Sequence, residues 1–219
     1  MIRICPSILN ANFEDLPNEI AKVAQSADLL HLDIMDGIFV PNTTFDLKWT
    51  KEIIDGSPLP VDLHLMISEA DSKVLPYTRM NAISISVHLE ALTDPRATLR
   101  LIKENGKRAA LAIKPATPIE SVQPFLQDID MILVMTVEPG LGGQKFIAEM
   151  LPKVTQARKW LTQNGLDETW IQVDGGINET TIREAFVAGA DTFVAGSVVY
   201  KSPDPADMIT KLRSCAITG

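Results

Sequence analysis

Cysteine is scarce: the chain of 219 residues has only Cys5 and Cys215. A single pair cannot build a disulfide framework, so a reducing compartment, the cytoplasm, is the expected location. Positive charge is also short, with 20 lysines and arginines against 28 acidic residues and a net charge of −8. A nucleic-acid surface or an anionic membrane needs a basic stripe, so neither is an expected partner. No apolar run approaches the ~20 residues that span a bilayer. Nothing ahead of the first strand pattern has the make-up of a signal or transit peptide. No Pro/Gly-rich linker or low-complexity tract divides the chain. Two nucleotide fingerprints are missing as well. Gly140-Leu141-Gly142-Gly143-Gln144-Lys145 places lysine where G-x-G-x-x-G requires its third glycine, and G-x-x-x-x-G-K-[ST] does not occur.

What is present is a globular composition, 46% hydrophobic and 22% charged, long enough for one large core, and a single domain over 1–219 is expected. Strand-like runs at 2–7, 28–34, 61–66, 83–88, 109–114, 131–137, 170–174 and 192–196 alternate with helical patterns at 12–25, 45–54, 69–79, 94–105, 119–126, 148–163, 179–188 and 205–214. Eight strand–helix units of roughly 27 residues predict an α/β fold, a compact TIM (β/α)8 barrel with its active site at the carboxyl ends of the strands.

The run Leu30-His31-Leu32-Asp33-Ile34-Met35-Asp36-Gly37 organises that expectation. Alternation along a strand puts His31, Asp33 and Met35 on one face and Leu30, Leu32 and Ile34 on the other. All three histidines, His31, His64 and His88, fall near strand ends, together with Ser7, Asp33, Met66, Glu90, Lys114, Met135, Glu138 and Asp174. In a barrel these ends converge. His31, Asp33, His64 and Asp174 then form a candidate metal set whose two imidazoles and two carboxylates suit zinc, iron, manganese or cobalt. The alternative is a buried network of His–Asp pairs. Glycines after the last three strands, Gly140 with Gly142 and Gly143, Gly175 with Gly176, and Gly196 beside Ser197, could let backbone N–H groups close on an anion. The plainer reading is tight turns.

These residues carry a family resemblance. Cys5-Pro6-Ser7-Ile8-Leu9, the His31 to Gly37 run with Phe39-Val40-Pro41-Asn42, His64-Leu65-Met66, Met135-Thr136-Val137-Glu138-Pro139-Gly140, Val173-Asp174-Gly175-Gly176 and Ala195-Gly196-Ser197 resemble the ribulose-phosphate 3-epimerase family from first strand to last. The resemblance implies a TIM barrel that interconverts D-ribulose 5-phosphate and D-xylulose 5-phosphate in the pentose phosphate pathway with one divalent ion. It places the metal ligands on His31, Asp33, His64 and Asp174, the proton acceptor on Asp33 and the proton donor on Asp174. Ser7 and His64 match substrate contacts. The phosphate would lie on backbone around Gly140, Leu141, Gly142, Gly143, Gly175, Gly176, Gly196 and Ser197, while Met35, Met66 and Met135 would line the reacting carbons or simply fill core. The sequence departs from the family pattern at Leu141, usually phenylalanine, at Ile38, often histidine, and at Asp46, commonly glycine; Leu141 bears on how firmly the phosphate loop closes.

Inverting one carbon requires a base on one face and an acid on the other, which explains two carboxylates. A carboxylate of pKa about 4 is too weak to take that proton unless the neighbouring carbonyl is polarised, as a metal does through the enediolate charge. A small phosphorylated ketose and further copies of the same chain, a homo-oligomer, are the expected partners. Two other readings compete: a 3-epimerase of a hexulose 6-phosphate such as allulose 6-phosphate, and a non-catalytic metal- or phosphate-binding barrel. A decarboxylase or aldolase of the D-x-K-x-x-D type is disfavoured by Met35 at the lysine position.

Overall fold

Short, mostly apolar runs buried on both faces give eight parallel strands in a computed structural model that describes residues 1–218. The strands are β1 (Arg3–Pro6), β2 (Leu30–Met35), β3 (Val61–Met66), β4 (Ala82–His88), β5 (Arg108–Ile113), β6 (Met131–Met135), β7 (Trp170–Asp174) and β8 (Thr192–Ala195). Their order, β1-β8-β7-β6-β5-β4-β3-β2, leaves β1 and β2 as the two ends of one sheet. The seam between them is closed by a parallel bridge from Ser7 to His31 and by paired bonds at the other end, Asp28 N–H to Ile4 O at 3.1 Å and Ile4 N–H to Asp28 Oδ2 at 2.8 Å. The expected TIM barrel is the fold. No helix among the described residues is long and apolar enough to cross a membrane.

Around the sheet run α1 (Leu16–Val23), α2 (Leu47–Gly56), α3 (Ala70–Lys73), α4 (Leu75–Thr78), α5 (Pro95–Glu104), α6 (Leu151–Gln163), α7 (Thr181–Ala188), α8 (Ser197–Tyr200) and α9 (Pro205–Ile217). Leu30, Leu32 and Ile34, the outward face of β2, join the main core between sheet and helices. Burial of the layer between sheet and helices contributes most of the hydrophobic stabilisation, as in any parallel sheet covered by helices. Asp46 explains one departure from the family pattern: it caps α2, accepting from Trp49 N–H at 2.7 Å, a role glycine cannot fill.

Proline decides where the helical expectations fail. The single helix expected at 69–79 is two short ones, with Pro76 in the first turn of α4 where its missing N–H costs nothing. The pattern at 119–126 forms a 3₁₀ helix, Ile119–Phe125, with Pro124 inside it. Helix α8, directly after β8, has no counterpart among the expected elements; four residues are too few to show a 3.6-residue period.

Candidate active site

Strand register assembles the site before any loop contributes. On β2 the order is His31, Leu32, Asp33; on β3 it is Asp62, Leu63, His64, and the strands pair His31 with Asp62 and Asp33 with His64. Each imidazole therefore has a carboxylate directly across. His31 Nδ1 lies 2.8 Å from Asp62 Oδ2, and His64 Nδ1 lies 3.0 Å from Asp33 Oδ1. Asp62 is fully buried and saturated, accepting also from Ser84 Oγ at 2.5 Å and Gln172 Nε2 at 2.7 Å. Because Asp62 accepts the Nδ1–H of His31, Nε2 is the ring nitrogen that faces inward.

That Nε2 is buried and lacks a hydrogen-bond partner, though Asp33 Oδ1 is 3.3 Å away and Asp174 Oδ2 3.9 Å. His64 Nδ1 is 3.5 Å from the same Asp174 oxygen. One atom each from His31, Asp33, His64 and Asp174 lies within 4.8 Å of all the others. The charge balance matches this convergence. Burial disfavours charge on His31, but Asp33 and then Asp62 outweigh it and hold its pKa well above the ordinary value. His64 is raised in the same way by Asp174 and Asp33 against burial. Asp33 is desolvated, yet His31 and His64 keep it well below the usual carboxylate range. The group thus favours positive charge at its centre. An inward imidazole nitrogen without a partner and a borderline donor set fit a divalent first-row ion, so these residues could hold one.

Above the group opens a mouth lined by Ser7, Asp33 and Asp174, by Met35, Met66 and Met135, and by Gly140, Leu141, Gly142, Gly143, Gly175, Gly176, Gly196 and Ser197. Ser7 Oγ donates to Asp33 Oδ2 at 2.6 Å, leaving the other oxygen to the histidines. The methionines belong to two buried apolar clusters that flank the carboxylates, so they line the mouth and fill core at once. His31 and His64 do not line the mouth; both are fully buried beneath it, including His64, which was expected to touch substrate as well.

The glycines are more than turns. Gly175 has φ +117, and a Cβ there would sit 2.3 Å from Val137 Cγ2. At Gly196 a Cβ would meet Asn10 Oδ1 at 2.3 Å, so a side chain there would displace Asn10 from the rim. Two loops face each other across the mouth, joined by Asn42 Nδ2 to Gly140 O at 2.8 Å. Gln144 Nε2 ties the second loop to itself, donating to Glu138 O at 2.6 Å and Leu141 O at 2.8 Å. Ile38 and Leu141, both departures from the family pattern, are 74% and 63% exposed and hold nothing shut.

Several contributors went unassigned in the sequence. Asn10 and Gln144 line the rim, and Asp62, Ser84 and Gln172 hold His31. For Asp62 a signal existed: D-x-H on one strand is the reverse of H-x-D on the preceding one, so parallel pairing matches acid with imidazole twice.

A family model described as the ribulose-phosphate 3 epimerase family matches residues 3–200. A ribulose-phosphate 3-epimerase of Bacillus subtilis is 41% identical over 214 residues, covering 97% of this chain and 99% of that one. One from Mycobacterium tuberculosis is 44% identical over 210 residues, covering 96% and 91%. Among solved structures, 3-hexulose-6-phosphate synthase from Salmonella typhimurium superposes with TM-score 0.71 at 18% identity, covering 99% of each chain, a likeness of fold.

Proposed function

The chain belongs to the ribulose-phosphate 3-epimerase family and is therefore an isomerase, and from that premise we propose that it interconverts D-ribulose 5-phosphate and D-xylulose 5-phosphate by proton transfer at C3 between two aspartates. The observation that carries the reading is that Asp33 on β2 and Asp174 on β7 reach one mouth and converge on one point with His31 and His64. Asp33 removes the C3 proton of ribulose 5-phosphate; Asp174 returns a proton to the opposite face. Ser7 Oγ, at 2.6 Å, keeps the Asp33 carboxylate turned for this task. Met35, Met66 and Met135 shield the reacting carbons from water. Backbone N–H groups around Gly140 to Gly143, Gly175, Gly176, Gly196 and Ser197 hold the phosphate, whose remote binding energy orients C3.

His31, Asp33, His64 and Asp174 would hold a divalent ion, zinc, iron, manganese or cobalt. Such an ion supplies polarisation of the C2 carbonyl and stabilisation of the enediolate charge. The reading extends to a cytoplasmic location, supported by two unpaired cysteines. It also extends to a homo-oligomer, supported by exposed Leu47 and Trp49 and testable by sedimentation. Relative kcat/KM on allulose 6-phosphate separates the hexulose alternative.

Solvent exchange tests the assignment. With metal content verified, Asp174→Asn should still wash the C3 proton of ribulose 5-phosphate into deuterated solvent and return labelled starting sugar, whereas Asp33→Asn should not. With xylulose 5-phosphate the pattern should reverse. Equal exchange from both sugars by either metal-replete variant would end the two-aspartate mechanism.

A further inference from the structure

Beneath the metal-facing residues, His64 has a second nitrogen to account for. Its Nε2 lies 2.9 Å from Nε2 of His88 on β4, and both rings are fully buried. One of these facing nitrogens must carry the proton and the other accept it. His88 Nδ1 lies 3.3 Å from Glu90 Oε2. Glu90 is an acceptor on both oxygens, because Oε1 already takes the Lys114 N–H at 2.8 Å and the Thr117 hydroxyl. A carboxylate accepts and cannot donate, so His88 must place its proton on Nδ1. Its Nε2 is then the acceptor, and the proton between the rings belongs to His64 Nε2. In the neutral ring, where Nε2 holds the one proton, the lone pair of His64 falls on Nδ1, the nitrogen turned toward Asp33 and Asp174.

The geometry points to His88 and Glu90 as positioning residues for the metal centre: together they fix His64 in the tautomer whose Nδ1 is free to bind an ion. This rests on the proposal that His31, Asp33, His64 and Asp174 hold a metal. His31 receives the same service from Asp62 directly; His64 receives it through a second imidazole, from a carboxylate anchored on the segment after β5. Phe39 lies against His88 with ring centroids 4.8 Å apart, and Lys114 Nζ sits 3.7 Å over the Phe39 ring, so the relay is roofed by the loop after β2.

The relay has a direction, and a single atom change reverses it. In Glu90→Gln the Lys114 N–H and Thr117 hydroxyl still require an oxygen, so the new amide NH₂ faces His88 Nδ1 and donates. His88 must then protonate Nε2 and donate to His64 Nε2, which drives the remaining His64 proton onto Nδ1, where it opposes the metal. Glu90→Gln and His88→Leu should each weaken Co²⁺ and Zn²⁺ binding, measured by chelator competition, by about 10- to 100-fold. His88→Gln, whose amide oxygen can accept from His64 Nε2–H, should stay within about threefold of the parent, and the melting temperature of metal-free Glu90→Gln should change little. A merely structural pair would show the opposite: equal metal affinity with lowered melting temperature. Undiminished Co²⁺ affinity in Glu90→Gln overturns the inference alone; failure of the parent protein to bind any divalent ion overturns it together with the metal reading. Should Glu90→Gln not fold, the imidazole ¹⁵N spectrum of the zinc-loaded parent decides. Protons on His64 Nε2 and His88 Nδ1 support the relay, and a proton on His88 Nε2 refutes it.

Discussion

The two ends of the barrel use the same ingredients to opposite effect. At the amino-terminal end three aspartates, Asp28, Asp130 and Asp191, stand just ahead of β2, β6 and β8 and accept the N–H of a residue on the preceding strand: Ile4 at 2.8 Å, Ala109 at 3.0 Å and Ile171 at 3.3 Å. Each also meets a cation, respectively Arg213 at 2.9 Å, Lys103 at 3.0 Å, and Arg158 at 2.7 Å with Arg3 at 3.4 Å. Between Arg3 and Arg108, each with its guanidinium 3.8 Å from the ring centroid, Trp170 plugs the floor. Each of these three carboxylates is paired within the protein. At the carboxyl end Asp33 and Asp174 face imidazoles instead of guanidinium groups, and a buried His31 nitrogen has no partner. A paired carboxylate staples strands; carboxylates and imidazoles that converge with capacity to spare await a ligand.

Breaking one end should therefore leave the other's property intact. The largest effect is at the mouth: Asp174→Asn should lower kcat at least about 1,000-fold, as loss of a proton-transfer group does, while a denaturant melt of the metal-free variant shifts little. A parallel loss of stability would erase the distinction between the ends. On the floor the reverse is expected, because Trp170→Ala removes a large ring packed on Cys5, Leu29 and Val194 and should cost about 3 kcal/mol of unfolding free energy. Coupled assays on the folded fraction should give kcat/KM within about threefold of the parent.

Smaller shifts sharpen the contrast. Asp191→Ala strips an acceptor from Ile171 N–H, Arg158 and the Thr192 hydroxyl and should destabilise by about 1–3 kcal/mol without altering KM. Acid should act on the mouth side through Asp36. Burial alone would raise its pKa, but N–H groups of Phe39, Ser68 and Ile38 and the Ser68 hydroxyl bring it down to about 2. A depressed pKa stabilises the fold above the unfolded value of about 3.9 and withdraws that stabilisation as pH falls toward 2. Melting temperature should accordingly drop over that interval in the parent and less steeply in Asp36→Asn.

The strands and the residues at their ends were legible because a period of two repeats over enough residues to be seen, and because the fold itself gathers strand ends. Asp174, the last residue of β7, needed no more than that, while His31, Asp33 and His64, further down β2 and β3, needed the alternation of faces as well. What could not be read depended on who stands across from whom. Asp62 is an unremarkable strand acid until register sets it against His31, and His88 was visible at a strand end without any sign that its partner is another imidazole. The broken helix at 69–79 and the 3₁₀ segment Ile119–Phe125 were missed although Pro76 and Pro124 were in plain view, since apolar spacing tolerates a proline that the hydrogen-bond ladder does not.

Leu141 separates what a family pattern suggests from what holds this loop. A smaller side chain than phenylalanine suggests a looser phosphate loop, yet Leu141 is 63% exposed at the rim, and the loop is fastened by Asn42 to Gly140 O and by Gln144 to the carbonyls of Glu138 and Leu141. An exposed side chain has little area to lose or gain. Enlarging it by a few tens of Å² of partly buried surface is worth under about 1 kcal/mol, so Leu141→Phe should move KM by less than about fivefold and leave kcat unchanged. Gln144→Ala frees two carbonyls of the same loop, at about 0.5–1.5 kcal/mol for each hydrogen bond, and should raise KM by about tenfold. Steady-state assays of both variants on D-ribulose 5-phosphate measure the difference. A larger shift from Leu141→Phe than from Gln144→Ala would mean that the rim closes on its apolar tip, and the Gln144 bonds within the loop would then be secondary.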